Sequence, residues 1–171
     1  MTRTFASLAD REVTGIVAPG SLDRDAGHPR FAPWGLTVYF ALDVGFLRLE
    51  STGGRGQLAL ELVPEVAVPT EIETEDDEFA VTHYDHLLLG EDEPRRLVRV
   101  RYATNPESDP ERGTVRCAEF VLAPRTVIFA DPMWTFGVRL SGEGAYDRWL
   151  AEVRESPEPP FLEHVWPELP G

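Results

Sequence analysis

Between Val115 and Leu140 the chain alternates apolar runs with short polar breaks. The runs are rich in β-branched and aromatic residues, which suit a pleated sheet better than a helix. Pro124 and Pro132 fall between the runs, whereas a proline inside a strand would remove a ladder hydrogen bond. The pattern therefore predicts a β-meander at the centre of a sheet, with Asp131 and Pro132 in a break between two of its strands.

Apolar and polar residues also alternate over several earlier segments, as expected for strands with one buried face. The pattern predicts strands at 13–18, 35–42, 46–50, 57–63, 79–89 and 97–102, and a short edge strand at 66–69. Pro19-Gly20 is expected to end the first strand, and loops are expected at 21–34 and 105–113. In the 35–42 strand, one face is predicted to carry Leu36, Val38, Phe40 and Leu42. In the 97–102 strand, Val98, Val100 and Tyr102 are predicted to do so.

The spacing of apolar residues changes near the C-terminal end of the chain. Tyr146, Trp149, Leu150 and Val153 follow the i, i+3, i+4, i+7 spacing of an amphipathic helix. Near the N-terminus, residues 1–12 are predicted to form no more than a short amphipathic turn. The fold class predicted is mainly β (α+β): a largely antiparallel, curled sheet, sandwich-like or barrel-like, with one C-terminal amphipathic helix.

The length of 171 residues is typical of one domain with a substantial core. We assign residues 1–155 to a single β-rich domain that ends in the helix. Residues 156–171 form a proline-rich tail, which carries Phe161 and Trp166. Because unstructured tails rarely hold two large aromatic residues, this tail is expected to pack on the domain or on a partner.

Composition restricts the function classes. All 16 Lys or Arg positions are arginine, a bias typical of a GC-rich bacterial genome, and this excludes Schiff-base and P-loop lysines. No cofactor is predicted. The chain has one cysteine, no visible signal peptide and no apolar run long enough to cross a membrane, so a cytoplasmic location is expected.

The net charge of −14 is unevenly distributed. Twelve acidic residues and no arginine occur from Glu61 to Glu93. Such a surface repels nucleic acids and anionic lipids and attracts basic partners. The candidate partner-binding residues are the densest acidic run and three aromatic residues suited to anchor a partner: Glu71, Glu73, Glu75, Asp76, Asp77, Glu78, Phe79, Tyr84 and Trp166.

One short motif could carry metal or catalytic chemistry. His83, Asp85 and His86 are weak candidate metal ligands, but on a regular strand positions 83 and 86 point to opposite faces. Ligation would therefore need a turn or bulge, and ordinary surface histidines are the competing interpretation. Cys117 lies in a strand pattern and is expected to be buried; a nucleophilic role would need a histidine beside it.

Three hypotheses for the function follow. The first is a non-enzymatic acidic interaction protein of bacterial type that binds a basic protein partner, as an immunity protein, an inhibitor or a mimic of nucleic-acid charge does. The second is a small β-barrel enzyme or ligand-binding domain with a pocket near His83, Asp85 and His86. The third is a structural subunit or scaffold that forms homo-oligomers through its aromatic tail. The first places no catalytic residue on the chain and expects no membrane or nucleic-acid binding.

Overall fold

The computed structural model describes residues 2–9, 11–24, 28–52, 56–68, 78–90, 93–133, 136–155 and 160–167. The helices are α1 (Thr2–Leu8), α2 (Asp85–Leu88) and α3 (Ala145–Arg154), and a 3-10 turn spans Pro110–Arg112. The strands are β1 (Glu12–Asp23), β2 (Arg30–Pro33), β3 (Thr37–Leu42), β4 (Phe46–Thr52), β5 (Gln57–Val63), β6 (Glu78–His83), β7 (Arg95–Thr104), β8 (Thr114–Val115), β9 (Cys117–Leu122), β10 (Thr126–Pro132), β11 (Val138–Ser141) and β12 (Leu162–Trp166).

The strands form one antiparallel sheet in the order β11-β10-β9-β7-β1-β3-β4-β5-β8. The sheet curls until β4 and β5 contact β10, so its two halves face each other without closing into a barrel. The predicted class, a mainly antiparallel and curled sheet with a C-terminal helix, is confirmed. No helix among the described residues has the length and apolar character needed to span a membrane.

The inner faces of the two sheet halves form the main core. Phe40, Leu49 and Leu58 from one half and Phe120 and Ile128 from the other are completely buried. The rings of Phe40 and Phe120 meet edge to face with their centroids 5.1 Å apart, a favoured geometry for aromatic pairs. The alternation that predicted these strands therefore reflects packing between the two halves.

Helix α3 covers the outer face of the sheet. Tyr146, Trp149 and Leu150 are buried and Val153 is half-buried, so the stripe predicted from the spacing is confirmed. Phe129 of β10 lies beneath the helix, with its ring centroid 5.6 Å from that of Tyr146. The chain thus has a second, smaller core outside the sheet.

Strand β1 is longer than predicted and runs through Pro19 and Gly20 to Asp23. The expectation that this dipeptide ends the strand was wrong. On one side, β1 pairs with β3 up to Val17 and with β2 from Gly20 onward. Pro19 lies between these two pairings, and its carbonyl accepts a hydrogen bond from Trp34 N–H at 2.8 Å. Since no ladder bond is needed from Pro19 on that side, the missing N–H costs little.

The outer half of β1 pairs with β2 on one side and with β6 on the other. The expected loop at 21–34 is therefore partly strand, because residues 20–23 pair with residues 30–33. The predicted edge strand at 66–69 is absent over 66–68, and residue 69 lies outside the described residues.

Two residues depart from the predicted strand pattern: Val98, which was predicted to face the core, and Leu36 are both exposed. Val98 lies at an irregularity in the pairing of β7 with β9, between Leu97 and Arg99. This bulge shifts the alternation by one residue, so Leu97 is buried in place of Val98. Leu36 lies in the turn before β3 and not in the strand. The break predicted at Asp131 and Pro132 was also wrong, because both residues belong to β10.

The two ends of the chain meet against β7. Strand β12 pairs with residues 100–104 of β7, and Trp166 contacts Phe5 of α1 with ring centroids 6.0 Å apart. Phe5 is completely buried, so α1 contributes to the main core and is a helix where only a turn was expected. At the other end of β12, Phe161 packs on Trp149.

Candidate functional site

A cavity of about 410 Å³ opens between α2, β11 and the corner that joins β2 to β3. Tyr84, Leu87 and Leu88 line it on the side of α2, and Val138 and Leu140 line it on the side of β11. No charged side chain lies among its lining residues. Ligand pockets are concave and mostly apolar, with volumes of roughly 300–1,000 Å³. This cavity is the feature of the described residues best suited to bind another molecule.

The corner between β2 and β3 forms the third wall. Trp34 lines the cavity here, and its N–H bonds to Pro19 as described above. Val138 N–H donates to the carbonyl of Gly35 at 2.8 Å, which joins the corner to β11. Gly137 has φ of +92°, and a Cβ there would lie 1.7 Å from the carbonyl oxygen of Gly35. Only glycine permits this approach, so the wall is fixed by backbone contacts.

Helix α2 is held against β1 by two hydrogen bonds to one residue. Tyr84 N–H donates to the carbonyl of Ile16 at 2.8 Å, and the carboxylate of Asp85 accepts a hydrogen bond from Ile16 N–H. These bonds continue the ladder where β6 ends at His83. Gly15 makes room for the carboxylate, because a Cβ there would lie 2.9 Å from Asp85 Oδ1. Asp85 therefore positions the α2 wall of the cavity.

This arrangement predicts that Gly15→Ala displaces α2. The added methyl group would collide with the Asp85 carboxylate, and overpacking of this kind costs about 1–3 kcal/mol of unfolding free energy. Denaturant melts would measure the loss. Gly142→Ala is the matched control, because a Cβ at Gly142 meets nothing within 4 Å. Equal stability of the two variants would contradict this account of α2.

Exposed apolar residues line the cavity or lie next to its lining residues in the chain. Leu87 is 64% exposed although it lines the cavity, and Phe136 is 85% exposed on the turn before β11. Gly35 lines the cavity, and a Cβ added to it would lie 3.2 Å from the carbonyl oxygen of Phe136. Leu36, the next residue along the chain, is exposed as well. Exposed apolar residues close to a cavity favour an interaction site over a purely structural one.

The candidate metal ligands lie at the junction of β6 and α2. The segment predicted as one strand over 79–89 ends at His83, and the following residues form a helix, so that part of the prediction was wrong. His83 Nδ1 lies 3.2 Å from Asp85 Oδ2, and the His83 side chain is exposed. The His86 side chain lies outside the described residues. Among the described residues no group of three or more His, Cys, Asp or Glu side chains could hold a metal, so the site stays a prediction.

The predicted partner-binding residues are distributed over several places. Glu78 begins β6 and forms an ion pair with Arg24 at 2.5 Å, and its hydrogen bond to that guanidinium lowers the pKa of Glu78. Phe79 is half-buried on the same strand, and Tyr84 lines the cavity. Trp166 does not line the cavity and packs on Phe5 of α1. The remaining candidates lie outside the described residues: Glu71, Glu73, Glu75, Asp76 and Asp77.

A second group of polar residues lies between the sheet and α3. Burial raises the pKa of the Cys117 thiol, which is fully buried, so this cysteine stays protonated and is not an activated nucleophile. Burial also raises the pKa of Glu119, against the opposing effect of Arg101, which lies 3.3 Å away. Arg101 in turn binds Asp147 of α3 at 2.8 Å. These contacts hold α3 on the sheet.

Sequence reasoning missed most of the cavity. Trp34 was placed at the end of a loop, and Leu87 and Leu88 were placed in a strand. Two local signals favour a helix instead: an acidic residue, Asp85, in the first turn, and Gly90 just beyond the end, with φ of +80°. Val138 and Leu140 had no signal that separated them from other strand residues.

Comparison of this chain with protein-family models, with curated proteins and with solved structures found no match.

Proposed function

We propose that this protein is a non-enzymatic, acidic interaction protein that binds a basic protein partner, in the manner of an immunity or inhibitor protein. The observation that supports the proposal most is the large negative net charge of the protein. The chain carries a net charge of −14, and within the part that the structure describes eight of its 16 arginines pair with its own carboxylates. The acidic surplus therefore remains available to another molecule.

Ion pairs within the chain account for many of the arginines. Among the described residues, eight arginines lie within 4.0 Å of a carboxylate oxygen: Arg11, Arg24, Arg48, Arg101, Arg112, Arg116, Arg139 and Arg154. The acidic stretch from Glu61 to Glu93 contains no arginine of its own. Of the described arginines, Arg48 reaches Glu61 in this stretch and Arg24 reaches Glu78.

The excess of acidic over basic residues determines which class of partner the protein attracts. Summed negative charge attracts a cationic protein over several ångströms and raises its association rate, and the same field repels the phosphates of nucleic acids and anionic lipids. The exposed apolar side chains around the cavity add a means of holding the partner once it has arrived.

The proposal predicts that association depends on the acidic run. Replacing Glu73 and Glu75 by Gln and Asp76 and Asp77 by Asn should slow association by about tenfold at low ionic strength, because long-range attraction is lost. The partner would be recovered from the native host by pull-down at low salt, and association would be timed by stopped flow. The wild-type rate should fall steeply as salt rises, since screening shortens from about 10 Å at 0.1 M to about 3 Å at 1 M.

A matched control separates the position of the charges from their number. The control variant loses as many charges from exposed residues elsewhere: Glu111→Gln, Glu143→Gln, Glu152→Gln and Glu155→Gln. It is expected to keep most of the wild-type rate. If the two variants associate equally fast with the recovered partner, or if neither differs from the wild type, the acidic run is only a solvated segment and the proposal loses its support.

A further inference from the structure

A second, polar cavity of about 260 Å³ lies between α3 and β11. Arg139 and Ser141 of β11 line it on one side, and Arg148 and Glu152 of α3 line it on the other. Its other lining residues carry no charge. Two of the three charged side chains that line the polar cavity among the described residues are therefore basic, in a chain whose net charge is −14.

Arg148 has no acidic partner in the part of the chain that the structure describes. No carboxylate there lies within ion-pair distance of its guanidinium. A Cβ on Gly144 would lie 3.1 Å from Arg148 Nη1, so this positive charge lies close to the residue that precedes α3. Cations are unfavourable at this end of a helix, because the helix dipole is positive there. Glu143, the acidic residue just before Gly144, does not line the polar cavity.

Arg139 is only partly compensated by its own acidic partner. Its Nη2 lies 2.7 Å from Asp131 Oδ2, and Arg116 Nη1 lies 3.2 Å from Asp131 Oδ1. One carboxylate therefore faces two guanidiniums, which leaves one positive charge in excess. Since the Arg139 side chain is 55% exposed, its other N–H groups can reach a ligand. Asp147 of α3 does not line the polar cavity, and it pairs with Arg101 at 2.8 Å.

We propose that the polar cavity binds a phosphate group, either as inorganic phosphate or as part of a small phosphorylated molecule. The guanidiniums of Arg139 and Arg148 offer N–H donors in the paired geometry that matches phosphate oxygens, and Ser141 offers a hydroxyl donor. This inference is independent of the proposed basic partner, because it concerns an anion and a different cavity.

Charge and size both favour phosphate over a single carboxylate. A phosphate monoester carries a charge of about −1.5 to −2 at neutral pH, so it compensates both Arg148 and the excess charge beside Arg139. The volume of about 260 Å³ is several times the roughly 30 Å³ that one water molecule occupies. A phosphate group and the first atoms of the molecule that carries it therefore fit.

The test uses three anions as probes: inorganic phosphate, glycerol phosphate and acetate. Calorimetry at constant ionic strength would measure the affinity of each for the full chain, and amide shifts in NMR spectra should be concentrated in residues 138–152. Both phosphates are expected to bind one-to-one and about tenfold or more tightly than acetate. Tighter binding of glycerol phosphate identifies a small phosphorylated molecule as the ligand. Binding of inorganic phosphate that is as tight or tighter identifies free phosphate.

Three variants test whether the polar cavity is the site. Arg148→Gln should weaken phosphate binding by about tenfold, whereas Glu152→Gln should strengthen it by about threefold, because the Glu152 carboxylate repels the anion. Arg125→Gln is the matched control, since Arg125 is also an exposed arginine without a described acidic partner but does not line the polar cavity. It should bind as the wild type does. Thermal melts would confirm that all three variants remain folded.

Several results would overturn the inference. Acetate that binds as tightly as the phosphates would show that the polar cavity does not select a dianion, and absence of binding by every probe would show that it is not an anion site. Equal losses in Arg148→Gln and Arg125→Gln would mean that positive charge anywhere on the surface is responsible. Weaker phosphate binding by Glu152→Gln would contradict the repulsion on which the assignment of the arginines depends.

Discussion

Trp149→Ala is expected to lower the free energy of unfolding by about 3–5 kcal/mol, through the lost burial and the cavity left behind. Trp149 is buried between α3 and the sheet. Its ring centroid lies 5.4 Å from that of Phe161, 5.8 Å from that of Tyr146 and 6.2 Å from that of Phe129. The guanidinium of Arg116 lies 5.3 Å from the centre of the ring. These neighbours come from the sheet, the helix and the C-terminal segment, so they cannot collapse together into the space.

Denaturant melts followed by circular dichroism would measure this loss. Phe136→Ala serves as the control, because its side chain is also a large aromatic but is 85% exposed. Its substitution should change the stability by no more than about 0.5 kcal/mol. A loss below about 1 kcal/mol for Trp149→Ala would show that the second core contributes little to the fold, contrary to the burial described above.

The parts of the fold that could be predicted from the sequence are those with a regular period over a whole element. The spacing of Tyr146, Trp149 and Leu150 identifies both the helix and its buried face, because a helix that packs on a sheet needs one continuous apolar stripe. Alternation likewise identified the strands around Phe40 and Phe120, since their inner faces meet across the main core. In these elements the local pattern and the tertiary contact agree.

The errors occur where a long-range contact changes the local pattern. Pro19 does not end β1, because the strand changes its partner at that position and Trp34 bonds to the Pro19 carbonyl. Val98 is exposed because the pairing with β9 contains a bulge next to it. Neither the partner strand nor the bulge is encoded in the residues immediately around these positions, so periodicity alone could not detect them.

The candidate site depends still more on distant contacts. Its walls come from the β2–β3 corner, α2 and β11, which are separated by about fifty residues of chain in each case. The α2 wall is positioned by a carboxylate of Asp85 that binds the backbone of Ile16, and by the absence of a side chain at Gly15. Aspartate and glycine occur in many structural settings, so their presence at these positions does not by itself indicate that they meet. Only the folded chain shows that they meet.

Asp131→Ala is expected to have an effect as large as that of Trp149→Ala, about 3–5 kcal/mol, for an electrostatic reason. Asp131 is buried in β10 and lies between two arginines, with 3.2 Å to Arg116 Nη1 and 2.7 Å to Arg139 Nη2. The Arg116 side chain is only 15% exposed, so removal of the carboxylate would leave a largely buried positive charge without its partner. Replacing one member of a buried pair costs far more than breaking an exposed one.

The two arginines provide an internal test of this reasoning. The Arg139 side chain is 55% exposed and can be solvated when its partner is removed, so Arg139→Ala should cost no more than about 1 kcal/mol. Asp131→Asn removes the charge but keeps an oxygen that can accept a hydrogen bond, and its stability should fall between the wild type and Asp131→Ala. Urea melts of the three variants would give the order. If Arg139→Ala proved as damaging as Asp131→Ala, the cost would come from loss of the β10–β11 contact, and the desolvation of Arg116 would not be its cause.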